Sequence, residues 1–422
     1  MKLLLLTQYY PPEPASASQK VSEMAGYLAG RGNDVTVVTG FPNYPDGAVY
    51  DGYRRRLYRE ETREGVRVAR TFLFIPRSRR DFWPRMKNHL SFMLTSMYGG
   101  VRSGRPDLVY VYSPPLFLGV SGYVLSRLFR APLVVDVHDL WPQEPIHLGV
   151  LKGRTAIRLA LGLERFVYSA ADYLYFYSNR MRGDVVETGV PEGKTEVHPL
   201  WVDTCFFESA SAHEAEEVRR EYGFGDRLVV MYTGNISLAQ GLDTAVESAR
   251  LLKERGEHDV LLVFVGGGAD RDRLAALAGD GGLDNVRFIP PKPATAMAAF
   301  TSAADVLLTH LNKAPFRQGT IPTKLLNYMS AGRPVLAGLE GEAADLVRQT
   351  GCGLVVAPQD PEAMAQGIMG LRDSDLRRRL GEAGRAAAVE RFERRRLLPE
   401  MEDRFQEIVS GWRGRAARAK AA

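Results

Sequence analysis

Short apolar runs alternate with segments of helical period along most of the chain. In the first half the runs fall at residues 2–7, 34–39, 66–74, 108–112, 133–137, 173–177 and 195–198. Several are apolar almost throughout, the pattern of strands buried on both faces. Between them apolar positions recur at helical spacing, as in Val21, Ala25 and Leu28 ahead of Gly30 and Gly32. A second series follows Cys205, with runs at 228–233, 260–265, 286–289, 306–309, 334–337 and 353–356. The polar segment 209–221 puts the connection between the two series near residues 199–211. Strands alternating with helices predict an α/β fold, with two doubly wound domains at 1–204 and 205–398. Such sheets bind ligands beyond the carboxyl ends of their strands, so two in series predict a cleft faced by both. The tail at 379–406 is helical in composition, with Pro399 a point of kinking.

Length and composition bound the picture further. A chain of 422 residues suits two or three domains, and 45% hydrophobic with 25% charged residues is ordinary for a globular enzyme. Cys205 and Cys352 form no CxxC pair, which argues against a disulfide framework or zinc site and fits a reducing, cytoplasmic setting. Residues 1–7 hold four leucines and then turn polar, too short for a signal peptide's apolar region, and read as a buried strand. No apolar stretch approaches the ~18 residues of a membrane span, so a soluble or peripheral protein is expected.

The net charge of +5 is unevenly spread. Residues 54–87 hold twelve Lys or Arg against four acids, interleaved with Tyr53, Tyr58, Phe72, Phe74, Phe82 and Trp83. An amphipathic stretch follows at 89–98. Basic and aromatic residues together suit peripheral contact of residues about 53–98 with an anionic membrane. The plainer alternative is a solvated basic face above a core helix. No nucleic-acid motif accompanies the charge.

The clearest chemistry lies in Pro322-Thr323-Lys324-Leu325-Leu326-Asn327-Tyr328-Met329-Ser330-Ala331-Gly332-Arg333-Pro334-Val335, a short helix between two strands. Thr323 is the expected N-cap, and Gly332 with Pro334 ends the helix. An open helix N-terminus suits a phosphate, and Lys324 and Asn327 share one face. A nucleoside diphosphate is the expected ligand, with Lys324 on phosphate and Asn327 on sugar. Two further turns sit on the same sheet edge. Tyr232-Thr233-Gly234-Asn235-Ile236-Ser237 leads through Gln240-Gly241 into a helix at 242–252, and Gly266-Gly267-Gly268 precedes one opening at Asp270. On the first sheet, residues 8–18 follow the first strand. Asp136-Val137-His138-Asp139 ends another, and its two carboxylates single out His138; the other six histidines read as structural. The acid pairs 136/139, 270/272 and 373/375 make poor metal sites, the last two because they merely open helices. There is no G-x-S-x-G elbow and no Cys–His signature for nucleophilic catalysis.

At these residues the chain resembles retaining, nucleotide-sugar-dependent glycosyltransferases of the GT-B fold, in the large family-four group. Within that group it is most similar to the branch acting in O-antigen, capsule and colanic-acid assembly. The matching phrases are Gln8-Tyr9-Tyr10-Pro11-Pro12-Glu13, Gly40-Phe41-Pro42-Asn43-Tyr44-Pro45-Asp46-Gly47, Val137-His138-Asp139-Leu140-Trp141-Pro142 and Gly341-Glu342-Ala343-Ala344, with the Pro-Thr-Lys helix. The resemblance implies two Rossmann-like domains facing a cleft, the first binding acceptor and the second donor, and a last helix, about 399–422, crossing back to the first. It implies metal-independent transfer with no cofactor beyond the nucleotide sugar, through an oxocarbenium-like state, the leaving diphosphate taking the acceptor's proton.

Carried over residue by residue, His138 and Lys324 are catalytic. Ala15, Ser16, Ala17, Gly234, Asn235, Gln240, Gly241, Gly266, Gly267, Pro291, Arg317, Thr323, Lys324, Leu325 and Asn327 face the donor. Asn43, Tyr44, Asp139 and Trp141 face the acceptor. Two departures stand out. The group's Glu-x7-Glu falls on Gly319 and Asn327, and its diphosphate-binding Arg and Lys fall on Asn235 and Gln240. One lost charge-stabilising donor costs ~2.7–4 kcal/mol in such sites, which leaves Lys324, Arg317 and the helix starts at Gly241 and Thr323 to compensate. The expected reaction moves an N-acetyl or deoxy amino sugar from a UDP-sugar to a lipid-carrier-linked glycan, on the inner face of the cytoplasmic membrane. The alternatives are a non-hydrolysing UDP-sugar epimerase and a catalytically silent carbohydrate-binding protein. A nicotinamide dehydrogenase lacks its G-x-G-x-x-G.

Overall fold

The computed structural model describes residues 1–421 other than 45–46, 54–55, 77–81, 148 and 209, with side chains except at 82 and 416–421. It divides into two compact units, Met1–His198 with Leu398–Ala422, and Pro199–Leu397.

The first unit is built on eight strands: β1 (Lys2–Leu6), β2 (Asp34–Gly40), β3 (Tyr58–Arg63), β4 (Val66–Thr71), β5 (Leu108–Ser113), β6 (Leu133–Val137), β7 (Tyr173–Phe176) and β8 (Thr195–Val197). Their order is β3-β4-β2-β1-β5-β6-β7-β8. All pairings are parallel except β3 with β4. Central β1 aligns Leu3 with Val35 on one side and Leu108 on the other, and is buried from Leu3 to Leu6. Helices cover both faces, which is why these strands are apolar at consecutive positions.

One strand escapes the apolar pattern. β3 reads Tyr-Arg-Glu-Glu-Thr-Arg, half-exposed at the sheet edge. It folds back on β4 through Glu64 and Gly65, both at positive φ, the backbone of a tight two-residue hairpin turn. Charges on an edge strand discourage pairing with another chain, and they also hide the strand from a hydrophobicity reading.

The second unit has six parallel strands: β9 (Leu228–Thr233), β10 (Val260–Val265), β11 (Val286–Ile289), β12 (Val306–His310), β13 (Val335–Gly338) and β14 (Gly353–Val356), in the order β11-β10-β9-β12-β13-β14. Val230, Leu262, Phe264 and Leu308 pack with Ala245, Leu252 and Ile368 of the flanking helices into its core. Both units are Rossmann-like, the α/β fold expected.

The chain returns to the first unit through its last helix. The helical tail breaks at Glu393, between helices Ser374–Phe392 and Arg394–Ala421, while Pro399 is carried inside the second. The expected interruption at Pro399 is thus replaced by one where Glu393 accepts from Thr204 N at 3.2 Å and Arg395 N at 3.0 Å. Within the first unit, Asn33 Nδ2 donates to Glu402 Oε1 at 2.7 Å, and Arg404 Nε donates to Glu196 at 2.9 Å. Phe405 is fully buried edge-on to Tyr110.

The basic segment is less uniform than its composition. Arg70 is fully buried, its guanidinium donating to Glu61 Oε1 at 2.7 Å, Gly40 O at 3.2 Å and Pro11 O at 2.5 Å. The amphipathic stretch belongs to a longer helix, Phe82–Arg102. Arg54, Arg55, Arg77, Arg79, Arg80 and Asp81, and Pro45-Asp46 of the Pro-Asn-Tyr-Pro phrase, lie outside the described residues. Among the described residues no helix is long and apolar enough to cross a membrane.

Candidate active site

In the second unit the loops after β9 and β10 cross in contact. Gly234 N donates to Val265 O at 2.9 Å and Ile236 N to Gly267 O at 2.8 Å. A methyl placed on Gly266 would stand 1.9 Å from Gly234 O, and its φ of 151° is one that side chains rarely adopt. Gly267 lies against Pro291. Asn235 is exposed on top of this crossing. Asp270, expected to serve a helix start, is buried, and Arg273 holds it from both sides at 2.6 and 2.8 Å.

Beside the crossing stands the helix Thr323–Ser330. Tyr328 fastens it to the end of β9: Thr233 N donates to Tyr328 Oη at 2.8 Å, and burial pushes that phenol up to about 12. Thr323 is not the cap. Pro322 occupies that position, and no side chain caps the helix, so Thr323 is its first residue. Leu325 is buried in the core and its N–H donates to Pro322 O at 2.9 Å, which removes it as a side-chain contact for a ligand. Gly332, at φ 65°, follows the Ala331 cap and ends the helix. Asn327 is half-buried one turn after Lys324.

Lys324 is the charge of this group. Its Nζ donates to Tyr232 Oη and lies 3.6 Å from the centre of the same ring, while a methyl on Gly234 would stand 3.6 Å from Nζ. Burial alone pushes the ammonium down to about 7. Tyr232 Oη in turn donates to Asn235 O at 2.6 Å.

A second cluster surrounds His310 at the end of β12. With Nδ1 donating to Gln240 O (2.6 Å) and Nε2 accepting from Gln359 N (3.0 Å), this buried ring ties two loops together and is held neutral. Gly241 turns at φ 58° against Asn312. Arg317 Nη1 donates to Ala239 O at 3.2 Å and Asn312 O at 3.1 Å, so the arginine braces the Gln240 turn.

In the first unit two of the phrases that carry the resemblance meet in space. Glu13, buried, accepts from Asn43 N and Tyr44 N at 2.9 Å each, so the Pro-Pro-Glu and Pro-Asn-Tyr segments form one knot. Burial raises the Glu13 carboxyl, and these N–H groups pull it back. Asn43 is buried with its amide on Phe41 O at 2.9 Å, a brace for the loop; Tyr44 stands half-exposed, edge-on to Tyr9. The helix Ser16–Gly30 begins after Ala15 without a side-chain cap, so Ser16 and Ala17 form an open helix start beyond β1.

His138 sits at the end of β6. Its Nε2 is 2.8 Å from Asp136 Oδ2, which also accepts from Tyr110 Oη, and its ring stacks with Tyr112 at 4.0 Å and Tyr177 at 5.5 Å. The tautomer donating to Asp136 leaves Nδ1 as the acceptor nitrogen. Next to it opens a cleft of about 240 Å³ that includes Asp139 and Trp141. Asp139 stands exposed at the cleft, yet the protein crowded around its carboxyl and then the charge of Glu144 push it up to about 6, although His138 draws it down. The same cleft is lined by Gln8, the head of the first matching phrase, by His89, a histidine expected to be structural, and by Arg85 and Phe117, neither among the expected site residues. Gln8 Nε2 donates to Asn88 at 2.7 Å, and burial followed by Arg85 pushes His89 down to about 4. Among the described residues no three His, Cys, Asp or Glu gather as a metal-holding group.

Two Rossmann-like units, each with an open helix start beyond a central strand and the second with glycine turns beside it, define a GT-B-type architecture. Residues 17–201 match the glycosyl transferase 4-like domain, and residues 214–387 match the glycosyl transferases group 1 family. Together these matches take in most of the chain, and the protein belongs to this glycosyltransferase family. It is 27% identical over 378 residues to WcaI of Escherichia coli (strain K12), named for colanic acid biosynthesis, covering 87% of this chain and 91% of that one. It is 26% identical over 422 residues to the GDP-mannose-dependent alpha-(1-6)-phosphatidylinositol monomannoside mannosyltransferase of Mycolicibacterium smegmatis, covering 97% and 99%. Among solved structures, Anabaena HepE in complex with UDP superposes with a TM-score of 0.72 at 18% identity, covering 96% of this chain and 100% of that chain. The chain is thus a glycosyltransferase, and neither family match is to an epimerase.

Proposed function

We propose that the enzyme moves a sugar from a UDP donor, with retention and without a metal, to a glycan carried on a membrane lipid in surface-polysaccharide assembly. The sugar class inferred is an N-acetyl or deoxy amino sugar, from the branch the motifs resemble. The observation that carries the donor assignment is Lys324 beside the crossed glycine loops and an uncapped helix start. A diphosphate there would meet backbone N–H groups, a helix dipole and an amine in one place. HepE, solved with UDP, supports uridine as the base, and the GDP-mannose dependence of the mycobacterial relative makes GDP the competing one.

In this reading the first unit takes the acceptor in the cleft of Asp139 and Trp141, with Tyr44 standing against Tyr9 of its wall. As the anomeric C–O bond breaks, charge develops on the diphosphate, and Lys324 with the backbone N–H of Thr323 stabilises it. The acceptor oxygen bonds to the anomeric carbon from the same face, and its proton passes to the leaving phosphate oxygen. His138, held by Asp136 and Tyr110, contributes at the reacting sugar. The Asn235 and Gln240 substitutions leave Lys324 carrying more of the phosphate charge than in relatives with an Arg and a Lys. Peripheral contact with the inner face of the cytoplasmic membrane, through residues about 53–98, would hold the enzyme at its acceptor.

A melting-temperature screen against UDP, GDP and ADP tests the donor site, because a ligand that binds only the folded form raises the midpoint. UDP should stabilise the wild type and do little for Lys324→Ala, while His138→Ala should keep the UDP shift and lose release of UDP from the donor sugar. Equal UDP shifts in wild type and Lys324→Ala would remove Lys324 from the site. Selective stabilisation by GDP would replace the base.

A further inference from the structure

Three helices of the first unit, Phe82–Arg102, Leu118–Phe129 and Arg154–Ala170, lie side by side, the first two packed on its sheet. Ser121 Oγ donates to Met93 O at 2.7 Å, joining the first two. Close approach does the rest: methyls on Gly100 and Gly119 would stand 2.4 Å from Leu125 and 2.3 Å from Val167. Gly99 and Gly122 press instead on Val38 and Val111 of the sheet, so the glycine sides of these helices point inward.

The outward sides are apolar to an unusual degree. Leu90, Leu94 and Val101 are exposed on the first helix, Val124 and Leu128 on the second, Leu159 and Phe166 on the third. Leu94 is 62% exposed, Leu128 57% and Leu159 71%, a distribution over three adjacent helices rather than single scattered residues. Charge follows the same surface. The three helices hold seven basic residues against one acid; those at 87, 102, 127, 154, 158 and 165 are exposed, while Arg85 lines the Asp139 cleft. That acid, Glu164, is buried and accepts from Gln143. Arg127 lies over Tyr123, which meets Phe166 edge-on at 5.2 Å, so cation and apolar ring are interleaved.

We infer that this three-helix face, and not residues 53–98 alone, docks the enzyme on an anionic bilayer. The inference rests on the membrane-held acceptor proposed above and extends the contact to two helices outside that basic segment. Anionic headgroups match a face without an exposed acid on its helices, and leucines between the arginines reach the acyl boundary.

Flotation of the full chain with phosphatidylglycerol–phosphatidylcholine vesicles, and with phosphatidylcholine alone, tests it. The wild type should float only with the anionic vesicles. The double variant Leu128→Glu, Leu159→Glu should lose roughly tenfold or more of its bound fraction, since two side chains stop burying apolar surface. Both positions are exposed, and an unchanged melting curve and UDP shift would show that the fold is kept. A double variant that floats like the wild type overturns the three-helix face while leaving the 53–98 contact standing. A wild type that never floats removes the membrane contact altogether. A concentration-dependent dimer that the double variant dissolves would make the face a self-association surface and overturn the inference.

Discussion

Lys324 keeps its ammonium against the Tyr232 ring, and burial there brings it down to about 7, against the ~10.4 of a lysine in the unfolded chain. Between those values the folded protein binds fewer protons than the unfolded one, so this group makes stability rise with pH across the window and leaves it lowest below pH 7. A diphosphate beside the amine favours its charged form. Nucleotide binding should therefore take up a proton above pH 7 and weaken by up to about tenfold per pH unit as the solution becomes more alkaline. Calorimetric titration of UDP in buffers of different ionisation heat measures the uptake directly. Lys324→Met should abolish both the uptake and the pH slope; a wild-type affinity flat from pH 7 upward would refute the linkage. The lysine itself was legible in the sequence, from its place after Pro322-Thr323. Its partner was not, because Tyr232 reads as one more apolar residue of a strand, and only the packing of the helix on β9 brings the two together.

At the scale of the element, the loops after β9 and β10 behave as one object. Gly266→Ala would drive a methyl to 1.9 Å from Gly234 O, and no side-chain rotation relieves a contact with backbone. Parting the loops would break the Gly234 and Ile236 hydrogen bonds that lace them. A loss of about 2 kcal/mol or more is expected, from a rarely adopted φ and the broken bonds together. UDP affinity should fall with it. Gly279→Ala, in the helix Arg271–Asp280 with open space around it, is the internal comparison and should be neutral or stabilising by up to about 1 kcal/mol. Denaturant midpoints decide: equal effects at the two glycines would mean the crossing is not rigid. Elements were readable wherever one physical signal dominated, as in the apolar runs of both sheets. β3 was not, since its residues answer to edge protection rather than burial, and neither was the cap of the Thr323–Ser330 helix, where proline and threonine both fit and the backbone chose proline. The Tyr110–Asp136–His138 chain depended on register: Tyr112 pairs with Asp136, which sets Tyr110 one repeat back on the same side of the sheet.

At the scale of the whole chain, the return of the last helix makes the first unit discontinuous in sequence, and residues near 400 complete a core begun at residue 2. Phe405 is fully buried against Tyr110, whose hydroxyl serves Asp136 and so the His138 ring. The same helix places the Glu402 carboxylate on Asn33 and Arg404 on Glu196. Truncating a buried phenylalanine typically costs about 3–5 kcal/mol, part of it for the cavity left behind. Phe405→Ala should therefore lower the stability of the first unit by that order, although the residue lies far along the chain from the rest of it. Trp83, Trp141 and Trp412 belong to the first unit and Trp201 to the second, so fluorescence during urea unfolding reports mainly on the first. A UDP-sensitive transition should mark the second if nucleotide binds there. The expected outcome is an earlier fluorescence midpoint with the UDP-sensitive transition unmoved. If Phe405→Ala shifts only the UDP-sensitive transition, the last helix does not stabilise the first unit, and the support it lends to His138 through Tyr110 fails with it.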